Sequence, residues 1–150
     1  MKKIKMMVMA LLCGLTLASL QSAVRAEVLI TAEEAKLPAA TVPPMRGITR
    51  GPGIEQVSPP PDAGVSSPLA FKIKFEIRNK VEIDPRSVKL VYLKAQSIDL
   101  TDRIRKYLTP DGIEMSRAEV PPGVHVLRLD IADKQGRTAS AIIRLTVTGQ

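Results

Sequence analysis

The sequence predicts an all-β protein: a β-sandwich of about six to seven short strands with one short bridging helix near residues 101–108. Three observations predict it. Leu69–Ile77 alternates apolar and polar side chains, the period-two pattern of a half-buried strand. Twelve prolines and nine glycines interrupt the chain too often for long helices. Pro121–Val147, PPGVHVLRLDIADKQGRTASAIIRLTV, reads as two alternating runs around an Asp-Lys-Gln-Gly turn, a complete β-hairpin.

The chain opens with MKKIKMMVMALLCGLTLASLQSAVRA, Met1–Ala26. Lys2, Lys3 and Lys5 form a basic start. Met6–Leu20 is an apolar run too short to span a bilayer comfortably. Val24 and Ala26 are small, as the third and first residues before a cleavage point must be. The segment is read as a bacterial Sec-type signal peptide cleaved after Ala26, which predicts a periplasmic or secreted protein with no transmembrane segment after cleavage. Cys13 lies inside the apolar run behind bulky Leu12, so it reads as one more apolar residue and not as an acylated cysteine. Losing Lys2, Lys3, Lys5 and Arg25 leaves 18 basic against 15 acidic side chains, a net charge of +3 in place of +7. That value is ordinary for solubility and gives no argument for nucleic acid. The single cysteine leaves with the leader, so the mature domain relies on packing in a compartment that permits disulfides.

Glu27–Gly53 is read as an extended arm or linker, because Pro38, Pro43, Pro44 and Pro52 exclude a long helix. One helical turn is expected over Thr31–Lys36, with Thr31 as cap and Glu34 three residues on. Residues 54–150 form the sandwich domain in this reading. Gly53–Ser58 is a short strand ended by Pro59-Pro60-Pro61. In Leu69–Ile77, Leu69, Phe71, Ile73, Phe75 and Ile77 share a face. Ser87–Lys94 is apolar on both faces, as a central or covered strand would be. Asp99 or Thr101 caps a helix over Asp102–Leu108 that places Ile104, Tyr107 and Leu108 together, and Pro110-Asp111-Gly112 ends it. Ile113–Glu119 is a weaker strand. In the hairpin, pairing Asp133 with Arg137 and placing Gly136 in the left-handed conformation sets Ile131 opposite Ala139, Leu129 opposite Ala141, Leu127 opposite Ile143 and His125 opposite Leu145.

GIEQVSPPPDAGVSSPLAFKIKFE (Gly53–Glu76) followed by IDPRSVKLVYL (Ile83–Leu93), together with the closing hairpin, resembles bacterial immunoglobulin-like domains. The tryptophan and cysteine pair of antibody domains are absent, so the resemblance is to the disulfide-free type. It implies an immunoglobulin-like sandwich serving as an adhesion module, spacer, enzyme accessory domain or envelope interaction domain.

The residues argue against catalysis. A nucleophilic triad needs a nucleophile, a base and an orienting acid. The mature chain has no cysteine and one histidine, His125, which the hairpin register points toward the core. One histidine with Met45 and Met115 makes neither a zinc nor a soft copper site. Asp99 with Asp102, and Asp130 with Asp133, read as capping and turn residues, because calcium needs six to eight oxygens in one loop. Four aromatics (Phe71, Phe75, Tyr92, Tyr107) and no tryptophan make a poor sugar-stacking platform.

Two exposed clusters are candidates for partner binding: Arg103, Arg105, Lys106 and Tyr107 beside the bridging helix, and Arg46 and Arg50 in the arm. A free Val28–Ile30 run could also add to a sheet edge. The expectation is a non-catalytic envelope module, without cofactor or metal, binding another envelope or secreted protein. The alternative is a binder of anionic polysaccharide or lipid head groups. An enzyme accessory domain is third.

Overall fold

The structure, a computed structural model, describes residues 25–42 and 50–149. Among these described residues, ten strands form two sheets. In chain order they are β1 (Glu27–Val28), β2 (Gly53–Ser58), β3 (Gly64–Ser66), β4 (Leu69–Glu76), β5 (Lys89–Tyr92), β6 (Ile98–Asp99), β7 (Leu108–Thr109), β8 (Gly112–Glu119), β9 (Gly123–Ala132) and β10 (Thr138–Thr148). The first sheet runs β1-β8-β4-β2, with β7 also paired to β8; the second runs β3-β10-β9-β5-β6. The six longer strands are the ones the alternation marks. Four strands of two or three residues, too short to show a period, bring each sheet to five.

The two inner faces meet in one apolar core. Leu69, Phe71, Ile73 and Phe75 of β4 and Ile113 and Met115 of β8 face Leu127, Leu129 and Ile131 of β9 and Ile143 and Leu145 of β10. The hairpin register is the one the sequence sets: Ile131 pairs Ala139, Leu129 pairs Ala141, Leu127 pairs Ile143 and His125 pairs Leu145. Gly136 takes a φ of 78°, and the Asp133 carboxylate accepts the backbone N–H groups of Gln135 and Arg137 at 2.9 and 3.0 Å. Beside the hairpin, the side chain of Gln56 on β2 satisfies the outward backbone of Arg144, donating to its carbonyl at 2.9 Å and accepting from its N–H at 3.2 Å.

Two local expectations need correction. Ile77 lies past the end of β4 and is 43 % exposed, because the strand's pairing with β2 stops at Glu76. The bridging helix is a single α-turn, α2 (Thr101–Ile104), tightening into a 3-10 turn over Arg105–Tyr107. Leu100 holds the N-cap position without a side-chain bond, while the Asp99 carboxylate one residue earlier accepts the Thr101 N–H at 2.9 Å, and the Thr101 hydroxyl accepts from Leu90 N–H at 3.1 Å and ties the turn to β5. Ile104 is buried, and Tyr107 and Leu108 pack on the core as the spacing predicts.

The expected helical turn of the arm is α1 (Ala32–Lys36), capped by Thr31, whose hydroxyl accepts from Glu34 N–H while the Glu34 carboxylate accepts from Thr31 N–H. Along residues 27–42 the arm lies against the sandwich. Leu29 and Ile30 are core residues, 0 % and 2 % exposed. Leu29 N–H and Ile30 N–H both donate to the Glu119 carbonyl, at 2.9 and 3.3 Å. Ala39 forms a bridge with Lys94, and Ala40, Thr41 and Val42 line a cavity together with Leu93 and Ile142 on the second sheet's side. The Val28–Ile30 run thus adds to a sheet edge, and the edge belongs to its own chain.

Candidate functional site: the arm-built end of the sandwich

The cations singled out beside the bridging helix point mainly at the arm. Arg103 makes a two-pronged contact with Glu34, Nη1 to Oε2 at 2.8 Å and Nη2 to Oε1 at 2.7 Å, and Nη1 also donates to the Leu29 carbonyl at 2.9 Å. The Arg103 guanidinium holds the Glu34 carboxyl down to about 2, against the opposing effect of partial burial. Lys106 donates to Glu27 at 2.6 Å and lies over the Tyr107 ring, whose hydroxyl reaches the same carboxylate at 3.4 Å. The Lys106 contact lowers the Glu27 carboxyl below its ordinary range. β1 and β7 lie on the same edge of β8, at its opposite ends, and this contact ties β1 to the 3-10 turn that leads into β7. Arg105 is turned to solvent and pairs with Asp102 at 3.2 Å. Arg50 is exposed just before β2, and Arg46 lies outside the described residues.

A third clamp involves residues that the sequence gives no reason to join. Lys94, 7 % exposed, donates to the carbonyls of Ala35 and Leu37 at 2.8 Å each, at the C-terminal end of α1. Its ammonium also sits 4.9 Å from the centre of the Tyr92 ring. The Tyr92 hydroxyl lies 2.7 Å from His125 Nδ1, and His125 Nε2 lies 2.8 Å from the Pro121 carbonyl. A carbonyl only accepts, so Nε2 carries the proton and Nδ1 accepts from Tyr92. Burial pushes the Tyr92 hydroxyl up to about 12. Burial also lowers the His125 pKa, and the nearby Lys94 charge acts in the same direction. His125 thus orients the tyrosine on which the arm-holding lysine rests.

The docked arm forms one wall of a groove of about 600 Å³ at this end of the molecule. Val28 and Ile30 face Pro68, Val120, Pro121 and Pro122 across it. Val28 is 43 % exposed, and β1 ends its sheet. Among the described residues no three histidine, cysteine or carboxylate side chains converge as metal ligands, and no helix is long and apolar enough to cross a membrane. No protein-family model, curated protein or solved structure matches the chain.

Sequence reasoning missed Lys94, the acidic partners Glu27 and Glu34, and the groove prolines. The one available signal was charge complementarity between an arm with acids and a helix with bases. Separated by 69 residues, Glu34 and Arg103 show no spacing that would pair them.

Proposed function

We propose that the protein is a non-catalytic module of the bacterial cell envelope, a secreted or periplasmic β-sandwich of the immunoglobulin-like type that binds a protein partner at the arm-built end. The observation that carries this reading is the apolar groove beside the sheet-end strand β1, walled by Val28, Ile30 and three prolines. An extended peptide recognises such a place by laying apolar side chains in the groove and pairing its backbone with the open strand. The secretory-leader reading of Met1–Ala26 supports the compartment, and among the described residues the apolar core begins at Leu29, after the expected cleavage point.

The test is a crosslinking pull-down of Glu27–Gln150 from its own cell envelope, beside a Val28→Asp variant. Val28 is half-exposed and lies outside the apolar core, so the variant keeps the fold. One reproducible protein partner, retained in moderate salt and lost with Val28→Asp, is the expected result. Retention of polysaccharide or lipid in its place, weakening steeply as salt screens it, would move the function to anionic-ligand binding through Arg105 and Arg50.

A further inference from the structure

We propose that the arm and the outer face of the second sheet together form a binding site for a small molecule that carries a carboxylate on a short aliphatic body. The site lies apart from the β1 groove and does not depend on the partner proposed there. It is a cavity of about 360 Å³, lined by Ala40, Thr41 and Val42 of the arm and by Leu93, Arg128 and Ile142 from the sheet's side. Ligand cavities run from roughly 300 to 1,000 Å³, lined by apolar side chains with a few polar groups that fix orientation. This one is at the small end, which suits a small molecule and not a polymer.

Strand alternation fixes what the sheet offers. Leu127, Leu129 and Ile131 of β9 and Ile143 and Leu145 of β10 are core residues, so Arg128 and Asp130, with their cross-strand partners Ile142 and Ser140, lie on the opposite face. Asp130 also lines the cavity, and both of its oxygens are engaged. Oδ2 accepts from Arg128 Nε at 2.9 Å, and Oδ1 accepts from the Ser140 hydroxyl at 2.5 Å. Asp130 thus holds the guanidinium at its Nε and fixes its orientation. The two terminal nitrogens, Nη1 and Nη2, have no hydrogen-bond partner among the described residues, and the side chain is 42 % exposed. A guanidinium presents paired N–H donors in a planar fork that matches a carboxylate's two oxygens. The open fork therefore selects a carboxylate, and Ala40, Val42, Leu93 and Ile142 give its aliphatic body an apolar lining. The arm is part of the site. Lys94 holds the Ala35 and Leu37 carbonyls and bridges Ala39, which sets the three residues that follow beside the sheet.

The experiment is an NMR titration of the chain Glu27–Gln150, which holds every described core residue. The probes are hexanoate, hexanamide and acetate, and the readout is the backbone amide shifts. Hexanoate is expected to move the Arg128 and Ser140 amides of the sheet and the Val42 amide of the arm together, along one saturable curve. Hexanamide lacks the charge and acetate lacks the aliphatic body, so each should bind at least about 10-fold more weakly. Arg128→Gln should weaken hexanoate binding by about 10-fold or more. Arg128→Lys, which keeps the charge and loses the fork, should weaken it as well. Both changes lie on the outer face, so the amides of the β9–β10 core residues report whether the fold is kept. Unsaturable or absent shifts at Arg128, Ser140 and Val42 with hexanoate would overturn the proposal. So would hexanamide binding as tightly as hexanoate, or a folded Arg128→Gln binding hexanoate as the wild type does.

Discussion

Arg103 is the residue on which the arm's attachment turns. It joins α2 to the α1 cap and to the Leu29 carbonyl. Charge-assisted bonds of this kind contribute about 1.5–3 kcal/mol, so Arg103→Ala should lower stability by about that much in denaturant titration near neutral pH. The loss should itself depend on pH. Glu34 has a folded pKa of about 2, below its ordinary 4.5, so the pair's contribution is present above 4.5 and fades as pH falls toward 2. The stability gap between wild type and Arg103→Ala should therefore shrink between pH 5 and pH 2, and a gap that stays constant would contradict the pairing. His125 has the opposite chemistry and the same direction. Its folded pKa lies below 6.5, so the neutral form favoured by the fold adds stability that is full above 6.5 and lost as pH falls below it. The imidazole of this single histidine should titrate by NMR with a midpoint below 6.5; a midpoint at or above that value would contradict its burial. The sequence places His125 toward the core through the hairpin register but is silent about Tyr92, which a different strand brings to it.

Among the elements, the hairpin was readable in full because both of its strands alternate and only one register satisfies the two patterns and the turn together. The short strands β1, β3, β6 and β7 were not, since two or three residues carry no period and their pairing is set by the partner strand. The capping box of α1 was visible as Thr31 and Glu34, whereas the end of α2 was not, because its shift to a 3-10 turn follows from packing Tyr107 and Leu108. Two glycines at strand turns separate backbone strain from crowding. Gly136 has a φ of 78° with open space around it, so Gly136→Ala should cost about 1–2 kcal/mol. Gly112 has a φ of 151°, and an added methyl carbon would lie 1.9 Å from the Ile73 carbonyl oxygen in the β4–β8 pair. Gly112→Ala should cost about 4 kcal/mol or more. Thermal unfolding of the two variants tests the order, and equal losses would contradict the close approach of β8 to β4.

For the whole molecule, composition and punctuation were enough to give an all-β sandwich, because strand alternation and turn chemistry are local. The role of the arm was beyond them. A short apolar run among charges and prolines looks the same in the sequence whether it hangs free or fills a core. Only the assembled sheets show that Leu29 and Ile30 have places between them, and that Arg103, Lys106 and Lys94 converge on the arm from different parts of the chain. The proposed docking groove depends on this closure. Amide hydrogen exchange at Leu29 and Ile30 in the chain Glu27–Gln150 measures it most directly. An arm that is part of the sandwich predicts protection close to that of the β9–β10 core amides, since both N–H groups are bonded to Glu119 and both side chains are buried. Exchange at the rate of a free peptide would contradict the closure, and with it the groove.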